Sequence, residues 1–241
     1  MTRELKKKIQ VVLAIGIAVA AIRTAYILSE RYESKGPAVT NRTGAPPLEP
    51  DYYVTTKKLH AYDLKSAREL TNGPVWIKEG YRYTYYPYDP AHHRADFAHE
   101  AGRLLPLEKL QIRDVVLNPS PLSKDQKQVM AVFQVSGKDF AVPVGVERSG
   151  DFRIYADEMM FLEDPRQLYK HWPAEIWEAI NKHEVRPGMS ELQADFAIGM
   201  GIPEPANDSD VRTLDYPNGG KPLTVTYQGG KATRIQPGPQ H

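Results

Sequence analysis

The 241-residue chain has no cysteine. That absence excludes disulfide staples, a thiol nucleophile, cysteine-ligated zinc, covalent c-type haem and a lipid-bearing N-terminal cysteine. A surplus of either charge sign is missing too. Lys and Arg number 31 against 30 Asp and Glu, a formal net charge of +1. So even a balance implies no bulk pull toward nucleic acid, and no nucleic-acid partner is expected. Catalytic signatures are also lacking. There is no Gly-x-Ser-x-Gly elbow, phosphate loop or dinucleotide fingerprint. Glu147, Asp151, Asp157 and Glu158 lie near expected turns, but no spacing pairs them as acid and base. The expectation is a chain that is not an enzyme and holds no cofactor.

What is present begins with an apolar stretch. Arg3, Lys6, Lys7 and Lys8 precede Ile9 to Leu28, interrupted only by Gln10, Arg23 and Thr24, with Gly16 inside. About 20 such residues suffice to cross a bilayer core as a helix. The preceding cations would hold the N-terminus on the cytoplasmic side. A second reading competes. The unbroken apolar core, Val11 to Ile22, suits a signal peptide, and Ala18-Val19-Ala20 fits a small-x-small cleavage site. Against cleavage, apolar residues resume after Arg23, which could snorkel to the interface. Both readings export the rest of the chain. The expected location is therefore a bacterial cytoplasmic membrane, with the membrane as a partner through one N-terminal helix and the C-terminal domain in the periplasm.

Residues 31–50 follow as a linker. Pro37, Pro46, Pro47 and Pro50, with Gly36 and Gly44, sustain neither helix nor sheet, and an extended Pro-rich tether would reach ~50 Å. Residues 51–163 read as a β-rich module. Lys58 to Leu70 predicts a short helix ended by Asn72-Gly73-Pro74. Val75 to Tyr86 predicts a strand on which Tyr81, Tyr83 and Tyr85 share one face. Val129 to Val135, Asp139 to Val146 and Phe152 to Tyr155 form a meander punctuated by Ser136-Gly137 and Ser149-Gly150. Strands of that number and length suggest a small SH3-like sheet.

Residues 164–236 read as an α+β module, with 237–241 as a tail. Asp164 and Pro165 open one helix and Pro173 another, in which Ile176, Trp177 and Ile180 share a face. Ser190 with Gln193 is a capping box, Leu192 and Phe196 give a buried stripe, and Gly199 ends the helix. Val211 to Tyr216, Pro222 to Tyr227 and Lys231 to Ile235 make a second meander with glycine turns. The expected fold class for the whole is thus α+β.

On Gly188, Met189, Ser190, Gln193 and Gly199, then Leu223, Val225, Tyr227, Gly230 and Lys231, residues 184–236 resemble the BamE-like (SmpA/OmlA) family of small envelope proteins. Pro203 falls two residues later than that family's proline, and the lipid-bearing cysteine is missing. The resemblance implies a two-layer α+β module that makes protein contacts in envelope assemblies. It implies neither catalysis nor membership of one particular machine.

Three candidate sites follow. Met200 and Ile202, with the strand edges, would carry contacts to an envelope protein partner. The tyrosines Tyr81, Tyr83 and Tyr85 could stack on sugar rings of a cell-wall polymer, or else pack into the core. If 91–101 is helical, His92, Asp96 and His99 share a face at one-turn spacing suited to a metal, although the known two-histidine helical signature is absent.

Overall fold

A computed structural model describes residues 21, 23–25, 49–205 and 210–239. Contacts divide the chain into Met1–Leu48 and a second unit from Glu49 onward. Most of the expected membrane segment, Ile9 to Leu28, and nearly all of the linker lie outside the described residues. Among the described residues no helix is long and apolar enough to cross a membrane. Helices such as Ala174–Asn181 and Glu191–Ile198 have 8 residues each. That is about 12 Å of helix against a hydrocarbon core of about 30 Å. The single-pass anchor, and the membrane and periplasmic placement built on it, are corrected accordingly.

The α+β expectation is corrected as well, because the protein is mainly β. Nine strands form one antiparallel sheet: β1 (Pro74–Ile77), β2 (Thr84–Asp89), β3 (Arg94–Ala95), β4 (Gly102–Arg103), β5 (Lys109–Pro119), β6 (Gln126–Val135), β7 (Lys138–Arg148), β8 (Asp151–Ile154) and β9 (Met160–Phe161). Their order is β3-β2-β7-β6-β5-β1-β9, with β4 added to β2 and β8 to β7. This is a larger, open sheet than the SH3-like module expected. A second antiparallel sheet orders β10 (Ile202–Pro203), β11 (Val211–Tyr216), β12 (Leu223–Gln228) and β13 (Lys231–Pro237).

The meander β5 to β8 forms for local reasons. Ser136 and Gly137 have φ of 50° and 80°, and Ser149 and Gly150 have 55° and 92°. Two successive left-handed residues make the hairpin turn whose twist matches the flanking strands. Both faces of the central strands are buried. Val129, Ala131 and Phe133 enter one core, while Met130 and Val132 enter another on the opposite face. Register shifts at Ile112/Asp114 and Val129/Met130 mark bulges, which bend and twist such long strands.

Two expected helices are absent or shorter. Of residues 58–70, only Leu64–Ala67 (α1) is α-helical, capped by Asp63 and followed by a 3-10 turn at Arg68–Asn72. Residues 91–101 form no helix. Asn118, on β5 and 1% exposed, accepts the Ala95 N–H at 2.5 Å and donates to the His93 carbonyl at 3.1 Å. Phe97 packs edge-on against Tyr86 at 5.1 Å. These long-range anchors fold the segment over the outer face of the sheet, so tertiary contacts override its helical composition.

The β-sheet passes through α2 (Ala156–Met159) into α3 (Pro165–Leu168), α4 (Ala174–Asn181) and α5 (Glu191–Ile198). Asp164 caps α3 by accepting the Arg166 N–H. At α5, Ser190 Oγ accepts the Gln193 N–H at 3.3 Å, and Gln193 Oε1 accepts the Ser190 N–H at 2.9 Å. Ser190→Ala should therefore lower stability by about 1 kcal/mol in chemical denaturation. The helices and smaller sheet enclose a core of Phe161, Tyr169, Trp172, Met189, Phe196 and Tyr216, against which Trp76 and Leu107 also pack. Residues on both sides of 163 thus share one core.

Strand edges are mostly blunted. The end strands β3 and β9 have 2 residues each. At the edge strand β10, Pro203 has no N–H to offer. Along β13, Ala232 exchanges hydrogen bonds with residues 188–189 (Gly188 N to Ala232 O and Ala232 N to Met189 O, both 2.8 Å).

Candidate binding groove

The histidine cluster is dispersed. His92 Nδ1 lies 2.6 Å from Asp89 Oδ2, and His99 Nδ1 lies 2.8 Å from Asp96 Oδ2. Both histidine side chains are more than three-quarters exposed. Each contact holds its aspartate below the usual carboxylate range. Among the described residues no three metal-capable side chains converge. Without a helix at 91–101, the shared face of His92, Asp96 and His99 does not exist, which corrects the metal-site expectation.

The three tyrosines do not form one exposed strip. The strand expected from Val75 to Tyr86 breaks after Ile77, and Tyr81 turns the chain with φ of 63°. Alternation cannot run through a left-handed residue. Tyr83 and Tyr85 pack against the main sheet core. The Tyr85 ring meets Phe133 at 5.6 Å and Phe140 at 5.2 Å, both edge-on. Burial pushes the Tyr83 hydroxyl up to about 12. Tyr81 instead packs against a glycine turn: a Cβ on Gly219 would sit 2.7 Å from its ring. Only Gly fits there.

Tyr81 stands at one wall of a groove of about 690 Å³. Three segments line it, residues 80–82, 198–202 and 217–220, together with Arg103 on β4. Met200 and Ile202 project at 47% and 60% exposure. Among the described residues, Arg82 and Arg103 are the only charged ones in the lining. Arg82 Nη1 pairs with Glu79 Oε2 at 2.6 Å and reaches Met200 Sδ at 3.9 Å. Arg103 is exposed and, among the described residues, pairs with no carboxylate. The walls approach closely because two glycines permit it. A Cβ on Gly199 would lie 2.7 Å from the Gly80 carbonyl oxygen, and one on Gly201 would lie 2.7 Å from the Tyr216 ring.

Behind the 198–202 wall sits a polar chain. Asp195 Oδ1 accepts the Gly201 N–H at 3.3 Å, and Tyr216 lies beside the same carboxyl. Tyr216 in turn lies 2.8 Å from the Tyr227 hydroxyl. Burial pushes the Asp195 carboxyl up to about 7 and raises both tyrosines. Sequence reading missed Arg82, Arg103 and Asp195. Only Asp195 left a signal, as a lone carboxylate inside the apolar run Ala194 to Ile198. Arg103 sits on a two-residue strand that nothing local marks.

A smaller cleft of about 310 Å³ lies between Trp76 and Trp177. Lys109 covers the Trp76 ring at 5.4 Å, and Arg166 covers Trp177 at 5.8 Å while donating to Asn181 Oδ1. The protein's own cations occupy those aromatic faces.

No family model, no curated protein and no solved structure matches this chain.

Proposed function

We propose that the unit from Glu49 onward is a non-catalytic protein-interaction module. Its groove takes an extended segment of a partner protein that carries a carboxylate beside apolar side chains. The observation that carries this reading is the lining: apolar and glycine surface, exposed Met200 and Ile202, and arginine as the only charge among its described residues. Apolar burial would supply affinity, and a fork-shaped guanidinium selects a carboxylate geometrically. Blunted strand edges favour docking through side chains over strand addition. The order of capped helix and β-meander in residues 184–236, which the BamE-like resemblance implies, also supports a role in protein contacts. The cell-wall reading loses its platform, because Tyr83 and Tyr85 are packed inward.

The test is site-specific photo-crosslinking in cells, with the probe placed at Met200, at Ile202 and at the distant, 88% exposed Leu122. A discrete protein adduct from the first two positions, absent from the third and lost on Arg103→Glu, is expected. Equal adducts from all three, or none from Met200 and Ile202, would sink the proposal.

A further inference from the structure

The cleft of about 310 Å³ between Trp76 and Trp177 shares no lining residue with the groove. Its walls come from two strands and two helices: Trp76 on β1, Lys109 on β5, Arg166 on α3, and Trp177 with Asn181 on α4. Both tryptophans are held from behind. Trp76 is paired with Lys109 of β5 on one side and Phe161 of β9 on the other, and the Trp177 ring packs on Trp172 at 5.3 Å. Each ring in turn holds a cation. Lys109 Nζ lies 5.4 Å from the centre of Trp76, and the Arg166 guanidinium lies 5.8 Å from that of Trp177. Arg166 Nη2 also donates to Asn181 Oδ1 at 2.8 Å. A long cation loses rotamer freedom when it captures an anion, and one already seated on a ring has less to lose.

Neither cation is neutralised. Among the described residues, Lys109 and Arg166 form no ion pair with a carboxylate. Asp164 is the one acid among the described lining residues, and its Oδ1 accepts the Arg166 backbone N–H at 2.9 Å. Two cations against one acid leave the cleft with a single surplus positive charge. Uncharged polar chemistry remains as well. Asn181 meets Arg166 with its amide oxygen and keeps two N–H donors, while the second oxygen of Asp164 keeps its acceptor capacity. Leu107 and Pro165 add apolar surface.

We infer that this cleft binds a small polyhydroxylated monocarboxylate, of which an acidic sugar is the simplest kind. One negative charge matches the surplus of one, and the ligand carboxylate sets against the Arg166 fork and Lys109 Nζ. Ligand hydroxyls donate to Asp164 and accept from Asn181. The C–H face of the ligand rests on Leu107 and Pro165. A flat aromatic ligand is the wrong shape of partner, because the protein's own cations take the ring faces on which it would stack. The volume lies at the lower end of the range for small-molecule sites, which suits a single sugar unit.

Two of the three tryptophans line the cleft, so fluorescence of the full chain reads its occupancy. Sodium glucuronate, glucose and sodium acetate are titrated separately, at constant ionic strength set with sodium chloride. Glucuronate should saturate with a dissociation constant on the order of 1 mM, ordinary for a ligand of about 13 non-hydrogen atoms. Glucose and acetate should each bind about tenfold more weakly or worse, since each offers only part of the chemistry recognised. Lys109→Gln and Arg166→Gln, at exposed positions on different elements, should each weaken glucuronate about tenfold. Arg103→Gln, in the groove, should leave it unchanged. Acetate as tight as glucuronate would mean that the hydroxyls are not recognised, and glucose as tight that the charge is not. Either result overturns the inference, as does the absence of saturation or a saturation that both cleft variants leave intact. The comparison of the three probes needs only the parent protein, so it decides the ligand class even where a variant folds poorly.

Discussion

Replacing Asp195 with Asn should make stability less sensitive to pH, and the variant should gain on the parent protein as pH rises from about 4 to 8. In the unfolded chain this carboxyl ionises near its model value of 3.8, whereas folding pushes it up to about 7. Between those values the folded state binds more protons than the unfolded one, so rising pH lowers stability. The loss is complete once the pH exceeds about 7, where both states are ionised. The gap corresponds to an upper figure of about 4 kcal/mol, which partial solvent access and relaxation reduce to about 2–3 kcal/mol. Asn keeps an acceptor for the Gly201 N–H but carries no titratable proton. Any constant offset from its extra N–H group cancels when the difference between variant and parent is followed across pH. Urea denaturation of both proteins at the two pH values makes the comparison. Parallel stability curves would show that the carboxyl is not held protonated.

A second large effect is expected at Phe196. This residue is 3% exposed, and its ring meets Phe161 at 5.6 Å, Tyr169 at 5.2 Å and Trp172 at 5.3 Å. Phe161 belongs to the last strand of the large sheet, Tyr169 and Trp172 to the segment between α3 and α4, and Phe196 itself to α5. Phe196→Ala removes the common partner of all three and leaves a cavity that rigid neighbouring rings fill poorly. The expected cost is about 3–5 kcal/mol, a large share of the total for a unit of this size. Because the two sides of residue 163 share this core, the loss should lower one cooperative transition. Far-ultraviolet circular dichroism follows the strands. Fluorescence follows Trp76, Trp172 and Trp177, which are in or against the shared core. Coincident midpoints for both probes are expected. A tryptophan transition that falls while the strand signal stays in place would mean that the two parts fold separately.

How much could be read from the residues alone varies with the range of the forces involved. Ser136-Gly137 and Ser149-Gly150 announce hairpins because the left-handed turn they need is a local property. The Ser190–Gln193 box and the Asp164 cap are local for the same reason. Residues 91–101 misled because alanine, histidine and acidic side chains suit a helix. What decides their path is Asn118, more than twenty residues downstream. The tyrosine run misled differently. Tyr81 itself takes a left-handed conformation, which a tyrosine does not announce, and one such residue destroys an alternating face. The α+β expectation failed because the pairings of β1 with β5 and β9 join distant residues, a link without a local signature. Within the groove, Met200 and Ile202 were visible as apolar residues after a helix-ending glycine. The arginines opposite them arrive through the tertiary fold.

The shape of the sheet margins bears on behaviour at high concentration. Fibre growth requires a free row of backbone groups on which another strand can lay itself down, rung by rung. Here Pro203 interrupts one margin of the smaller sheet, and residues 188–189 occupy part of the other. At the margins of the larger sheet, β3 and β9 offer 2 residues each and β8 offers 4, little for a stable ladder. Crowded copies of the folded unit therefore find little at these margins to template on. Conversion to cross-β aggregates has to pass through local unfolding that exposes β5, β6 or β7, and so it is limited by the stability of the shared core.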